Sequence, residues 1–255
     1  MEPILELIHV CFSYHTQSGE TEALEDISLS VLPGEFLAVV GPSGCGKTTL
    51  LSLISGLLTP ESGEIRLFGK PQGTSGANIG YMLQRDHLFE WRTVYDNVRL
   101  GLEIRGQDTT KNRRAVNTML DTYGLSAFRE APPSALSGGM RQRAALIRTL
   151  ALEPDILLLD EPFSALDYQT RLEVGDDIGG ILKREHKTAV LVTHDLAEAI
   201  TLADRIVILS SRPARVRRIL PLSFGPDCAS PLARRSSPLF SGYFEEIWKE
   251  LKAHE

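Results

Sequence analysis

Nothing in this sequence points to a chain that is stapled, membrane-spanning or wrapped around nucleic acid. Its cysteines, Cys11, Cys45 and Cys228, number only three and form no even framework, which fits a reducing cytosol. No apolar stretch approaches the roughly 18 to 20 residues of a membrane span. The first residues, Met1-Glu2-Pro3-Ile4, lack the basic start and apolar core of a secretory signal, so no export leader is expected. Positive charge is in short supply. With 27 Lys and Arg against 33 Asp and Glu, the net charge is −6, whereas a nucleic-acid-binding surface would be basic.

What the chain does have is apolar side chain, 42% of 255 residues, ample for a core at a length that fits one domain with a smaller subdomain. Within that frame Gly41-Pro42-Ser43-Gly44-Cys45-Gly46-Lys47-Thr48 carries the spacing of a phosphate-binding loop. It follows the apolar run 36–40, which reads as a buried strand, and precedes Thr49-Leu50-Leu51, which reads as a helix start. Gly41, Gly44 and Gly46 let backbone N–H groups converge on phosphate oxygens, and the helix N-terminus favours anions. Lys47 supplies a point charge to the terminal phosphates, and the Thr48 hydroxyl can ligate Mg²⁺. Cys45 inside the loop is read as a small filler, since nothing nearby marks a thiolate.

A second buried strand, 156–160, ends in two acids, Asp160 and Glu161. Open α/β sheets bind ligands at the carboxyl ends of their strands. Asp160 there can reach a Mg²⁺ shell, and Glu161 can orient or deprotonate an attacking water.

Six motifs in order give this chain a specific likeness. Gly41–Thr48 matches the Walker A motif and 156–161 the Walker B motif; Leu136-Ser137-Gly138-Gly139-Met140 matches the signature motif, with Met140 where Gln is most usual. Gln84 fits the Q-loop, Ser164-Ala165-Leu166-Asp167 the D-loop and His194 the switch histidine. From about residue 4 to about residue 220 the chain resembles the ATPase domain of an ABC transporter. That resemblance implies an α/β fold with a P-loop NTPase (RecA-like) core, an N-terminal antiparallel β-subdomain and an inserted helical subdomain. It makes Gly41 to Thr49 and the Ser137-Gly138-Gly139 segment nucleotide-binding, and Thr48, Gln84 and Asp160 the Mg²⁺ set. Glu161, His194 and Gln84 become catalytic. Tyr14 stands where the family stacks an aromatic on adenine, although Phe12 could serve and a strand Tyr can be plain sheet packing. Taken singly, His194 would be a strand-end histidine and Gln84 a loop amide; register with the other motifs gives them meaning.

In this family two domains meet head to tail, and ATP lies between the Walker A loop of one and the signature of the other. Ser137 and the Gly138 and Gly139 amides at a helix N-terminus suit the partner's γ-phosphate. One phosphate loop and one signature per chain therefore imply a dimer, expected to be of identical chains.

The resemblance extends to an importer. Leu88-Phe89-Glu90-Trp91 follows Gln84 at the place where the family docks the permease's coupling helices; the rival for Trp91 is packing inside the helical subdomain. The insert between Gln84 and Ser137 is too short for the coiled coils of DNA-repair ABC ATPases, and one domain per chain differs from the translation-factor ATPases. A non-transport ABC ATPase is the remaining rival. The segments 84–98, 166–171 and 211–216 resemble nitrate, sulfonate and taurine importer ATPases, though many relatives have Pro at the place of Glu90; thiamine-precursor importers are the runner-up. The implied partners are a second ATPase subunit, a membrane permease in another chain and, indirectly, a solute-binding protein; no nucleic acid is implied. The place of action is the cytoplasmic face of the cell membrane, reached through the permease.

Along the chain, residues 4–32 read as antiparallel strands with a loop at 16–20, residues 85–150 as the helical insert, and 189–193 and 206–210 as core strands. Gly179-Gly180 should weaken a helical stretch. The basic run 212–218 reads as an irregular, solvated surface strand rather than a lipid site. The ATP-binding domain is expected over 4–232 and a separate amphipathic helix within 233–255. Ser237-Pro238 fits its start, and Leu239, Phe240, Tyr243, Phe244, Ile247, Trp248 and Leu251 form a face expected to pack onto the domain, with a partner contact as the alternative.

Overall fold

The structure is a computed structural model that describes residues 2–17, 19–225, 227–228 and 230–252. In chain order the elements are β1 (Leu5–Thr16), β2 (Gly19–Val31), β3 (Phe36–Val40), α1 (Lys47–Ile54), β4 (Ser62–Leu67), β5 (Lys70–Pro71) and β6 (Ile79–Met82). Then follow α2 (Val94–Ile104), α3 (Thr110–Thr122), α4 (Gly138–Leu150), β7 (Ile156–Asp160), α5 (Tyr168–Arg184) and β8 (Thr188–Val192). The chain closes with α6 (Leu196–Leu202), β9 (Arg205–Leu209), β10 (Val216–Pro221), α7 (Pro231–Arg235) and α8 (Pro238–Lys252). These elements form two compact units, Met1–Ala77 with Gly179–Glu255, and Asn78–Ile178.

In the first unit an antiparallel sheet runs in the order β2-β1-β4-β5. Alternation drives it: Leu5, Leu7 and Val10 of β1 are buried while the side chains between them are not. Strands β1 and β2 run on until Thr16 pairs with Gly19, so the expected loop at 16–20 shrinks to two residues, of which Ser18 lies outside the described residues. A second group of strands has β3 parallel to both β8 and β9, with β10 antiparallel to β9. All five residues of β3 and of β8 are buried, as expected of parallel strands covered on both faces. The expected core strands at 189–193 and 206–210 thus form, shifted by one residue. The basic run at 212–218 becomes a turn leading into β10, with Val216 paired to Leu209.

The Gly179-Gly180 pair falls inside α5, which continues to Arg184. A Cβ at Gly179 would lie 2.3 Å from Leu202 Cδ2, so the glycine lets α6 approach α5 closely. The apolar face of α8 is only partly covered. Ile247 is fully buried and the helix packs on α6 and β9, but Leu239, Phe244 and Trp248 remain exposed. Phe240, Phe244 and Trp248, spaced by four, stack in a ladder with centroids 6.3 Å apart along the edge of that face. Seven apolar positions span a wider arc than a single contact can cover. Residues 253–255 of the expected helix lie outside the described residues.

Lys183 of α5 makes a testable contribution to stability. Its Nζ lies 4.0 Å from Asp204 Oδ1, a carboxylate that Arg234 also approaches. Burial, reinforced by repulsion from Arg234 and partly offset by Asp204, pushes the Lys183 ammonium down to about 8. The unfolded chain holds this proton to about pH 10.4, so the burial penalty is full below pH 8 and is relieved as the pH rises through that interval. Lys183→Met should therefore gain up to about 3 kcal/mol at neutral pH, with the gain fading toward pH 10. Thermal melts of both proteins at the two pH values check this; an equal gain at both contradicts it.

In the second unit β6 and β7 pair in parallel, Ile79 opposite Ile156. Helices α2, α3 and α4 start on side-chain caps: Thr93, Thr109 and Ser137 accept from the backbone N–H three residues on. Buried Asn97 of α2 pins the preceding segment, accepting from Phe89 N–H at 2.7 Å and donating to the carbonyls of Phe89, Arg92 and Thr93. No described helix is long and apolar enough to cross a membrane. The fold is α/β, with an N-terminal antiparallel sheet, a parallel-rich core carrying the phosphate loop, and an inserted set of helices.

Candidate functional site

The first unit holds the phosphate loop. It runs from the end of β3 to Gly46, the N-cap of α1, with Gly44 at φ 72° and Gly46 at φ 121°, angles that favour glycine. A Cβ at Gly46 would also lie 2.9 Å from Leu24 Cδ2 and 3.0 Å from the Ala23 carbonyl oxygen. Pro42 is half-buried, and Ser43, Gly44 and Thr48 are exposed. Lys47 is buried to 6% exposure, its Nζ donating to the carbonyls of Gly41 at 2.8 Å and Pro42 at 2.9 Å. The two bonds hold the side chain against the start of the loop. Cys45 is buried, and burial pushes its thiol up despite the nearby charges of Lys47 and Arg212. A protonated, enclosed thiol matches a small filler.

Tyr14 on β1 stands beside this loop. Its hydroxyl bonds Thr49 Oγ1 at 3.0 Å, its ring meets Phe12 edge-on at 5.0 Å, and 40% of it remains exposed. His194 is exposed just past the end of β8. Its backbone is braced on both sides: Thr193 Oγ1 accepts from Asp195 N–H and donates to Glu198, and Asp195 caps α6.

The second unit holds the carboxylates. Asp160, buried at the end of β7, accepts from the Tyr81 hydroxyl at 3.4 Å. Glu161 sits at φ 45°, a left-handed conformation uncommon for a residue with a side chain. Gln84 Nε2 lies 3.3 Å from Glu161 Oε2 and 3.3 Å from Ser164 Oγ. Three of the motifs picked out in the sequence therefore meet side chain to side chain here.

In the signature, Ser137 Oγ caps α4 by accepting from Met140 N–H at 3.4 Å. Gly138 and Gly139 open the helix, and the second is closely packed: a Cβ on Gly139 would lie 2.8 Å from Thr170 Cγ2 and 2.9 Å from Val174 Cγ2. First-turn N–H groups have no intrahelical partner, which suits this end to an anion.

The sequence reading missed the supports. Arg141 of α4 binds Asp86 at 2.9 Å and Glu90 at 2.8 Å, and Arg148 donates to the carbonyls of Asp86 and His87. Burial alone would raise the Asp86 carboxyl, but Arg141 and the Leu88 N–H hold it below its usual range. The segment after Gln84 is thus lashed to the signature helix. Beyond it lies a groove of about 330 Å³ lined by Ile79, Tyr81, Phe89, Leu100, Ile104 and Leu152. Trp91, 79% exposed, rests on Phe89 with ring centroids 4.7 Å apart. The alternative in which Trp91 packs inside the helices is therefore wrong: Asn97 fastens the backbone on either side of it and turns the ring outward. In the first unit, Arg212 Nη2 donates to the Gly44 carbonyl at 2.7 Å.

Chemically, the loop amides, Lys47 and the start of α1 suit a polyphosphate. Thr48 in the first unit, and Asp160 and Gln84 in the second, each carry a hard oxygen donor of the kind Mg²⁺ takes.

Comparison with known proteins agrees. The family model described as ABC transporter matches residues 24–164. An ABC transporter ATP-binding protein of Bacillus subtilis, YtlC, is 44% identical over 98% of this chain and 96% of its own length. The nitrate import ATP-binding protein NrtD of Synechocystis is 41% identical over 93% of this chain and 91% of its own. Among solved structures, the dimeric post-hydrolysis ATP-binding cassette MJ0796 with ADP and Pi superposes with a TM-score of 0.74 at 30% identity, covering 87% of this chain and all of that one. By the extent of these matches the chain belongs to the ABC transporter family as an ATP-binding, ATP-hydrolysing subunit.

Proposed function

We propose that the chain powers an importer of a small solute of the nitrate, sulfonate or taurine class, as a pair of identical subunits on the cytoplasmic face of a membrane. Relatives named for nitrate and taurine import support this reading. The observation that carries it is the outward Phe89–Trp91 pair beside the apolar groove, a surface suited to a separate permease. Cargo is chosen by that permease and a solute-binding protein. The ATPase domain is assigned to 4–232, with its helical subdomain at about 85–150, and the C-terminal segment that carries α8 to 233–255.

Each residue then has a task. The loop amides from Gly41 to Thr49 and the Lys47 ammonium grip the ATP phosphates, and Tyr14 stacks on the base. Thr48, Asp160 and Gln84 hold Mg²⁺, which when bound offsets phosphate charge. Glu161 takes a proton from the attacking water, and Gln84 and His194 orient the terminal phosphate and that water. Ser137, Gly138 and Gly139 of one chain cap the phosphates held by its partner.

Trp91→Ala tests the docking surface. A ring this exposed contributes little to folding, so melting should stay within about 0.5 kcal/mol of wild type. Loss of an aromatic anchor should weaken permease binding by about 2 kcal/mol or more. Copurification with the permease from membranes reads the result. Intact association and transport with this variant contradict the proposal, and absence of any permease from the wild-type preparation favours a non-transport ATPase.

A further inference from the structure

We infer that Arg212 is a positioning residue that holds the tip of the phosphate loop in its phosphate-accepting shape, an inference that rests on the loop binding ATP as proposed above. The tip needs such a hold. Gly44 lies at φ 72° and has no side chain, so its peptide could rotate with little steric cost. A rotated Gly44 peptide would free its carbonyl oxygen to turn toward a polyanion, which it would repel.

The Gly44–Cys45 peptide is held at both ends. Arg212 Nη2 donates to the Gly44 carbonyl at 2.7 Å, and Cys45 N–H donates to the Pro42 carbonyl at 3.3 Å. The peptide unit is planar, so Arg212 on its oxygen and the Pro42 carbonyl on its N–H together fix its orientation, and with it the turn of the loop. Among the described residues, and apart from its chain neighbours, the only heavy atom within 4 Å of a Cβ built on Gly44 is that same guanidinium nitrogen.

The base of Arg212 is firm enough to act as a strut. It stands in the turn between β9 and β10, where Ser210 Oγ accepts from Arg215 N–H at 2.9 Å and donates to the carbonyls of Ser211 and Pro213. Ala214 is bonded to β2 in both directions, donating to the Ala23 carbonyl and accepting from Glu25 N–H, each at 2.9 Å. Ala23 and Leu24 are also the residues against which Gly46 closes. One stretch of β2 therefore backs the loop's far end and anchors the turn that grips its tip. The guanidinium brings positive charge to the same place.

The experiment compares Arg212→Ala and Arg212→Lys in the full chain, with Lys47→Ala as control, by steady-state ATPase kinetics and melting. Arg212→Ala should raise KM for ATP about tenfold, the scale of one charge-assisted hydrogen bond, with a smaller change in kcat. Its melting temperature without nucleotide should match wild type, because the side chain is exposed. Arg212→Lys should recover much of the KM, since an ammonium can also reach a carbonyl. An unchanged KM in Arg212→Ala overturns the inference, as does a raised KM that tracks a fall in melting temperature and is not rescued by lysine. If Lys47→Ala itself binds and hydrolyses ATP normally, the reading of the loop fails, whatever Arg212 does.

Discussion

Glu161→Gln is expected to bind ATP like the wild type and to hydrolyse it about 10²–10⁴-fold more slowly, the usual worth of a general base. The substitution is close to isosteric, so little else changes. Glutamine keeps an oxygen to accept from Gln84, which lies 3.3 Å from the carboxylate. The backbone at φ 45° is no harder for Gln than for Glu, so folding should not separate the two proteins. What is lost is the capacity to take a proton. The variant should accumulate as an ATP-bound dimer, visible by size-exclusion chromatography with ATP. Near-normal turnover would remove Glu161 from its role.

Ser137→Arg should be almost as damaging while acting far from the chain's own phosphate loop in sequence. The lost cap costs about 1 kcal/mol, which a helix buried along Ala144, Leu146 and Ile147 can absorb. ATP binding by the same chain should therefore survive. Hydrolysis should fall about 10²–10³-fold, because a long cationic side chain displaces donors meant for the partner's phosphate. Equilibrium nucleotide binding and turnover, measured on one preparation, separate these effects. Loss of both together would point to misfolding.

Much of this site could be read from the sequence. The strands 36–40 and 156–160 are short continuous apolar runs ending in polar loops, a pattern that fits buried parallel strands. The glycine spacing of the loop was legible for a related reason: each glycine answers a local backbone demand, seen at Gly46 as φ 121° and a neighbour 2.9 Å from its absent Cβ. Long-range supports were not legible. Arg141 and Asp86 are 55 residues apart, and Arg212 and Gly44 are 168 apart. Nothing in a basic residue's own neighbourhood says which carbonyl or carboxylate it will meet. The α8 face shows a further limit. Helical periodicity identified its apolar residues, but not that the fold would cover Ile247 and leave Phe244 and Trp248 open. Nor does the neighbourhood of Gly179 in sequence show that Leu202 occupies the space a side chain there would need.

A site completed by a second copy of the chain is best tested by mixing two inactive proteins. Lys47→Ala removes the phosphate grip, and Ser137→Arg spoils the signature. A mixed dimer pairs the intact loop of one with the intact signature of the other. Equimolar mixing should restore ATP hydrolysis, with a rate that rises with total protein concentration. No recovery on mixing, together with wild-type activity that is full and independent of concentration in a monomer, would contradict a shared site.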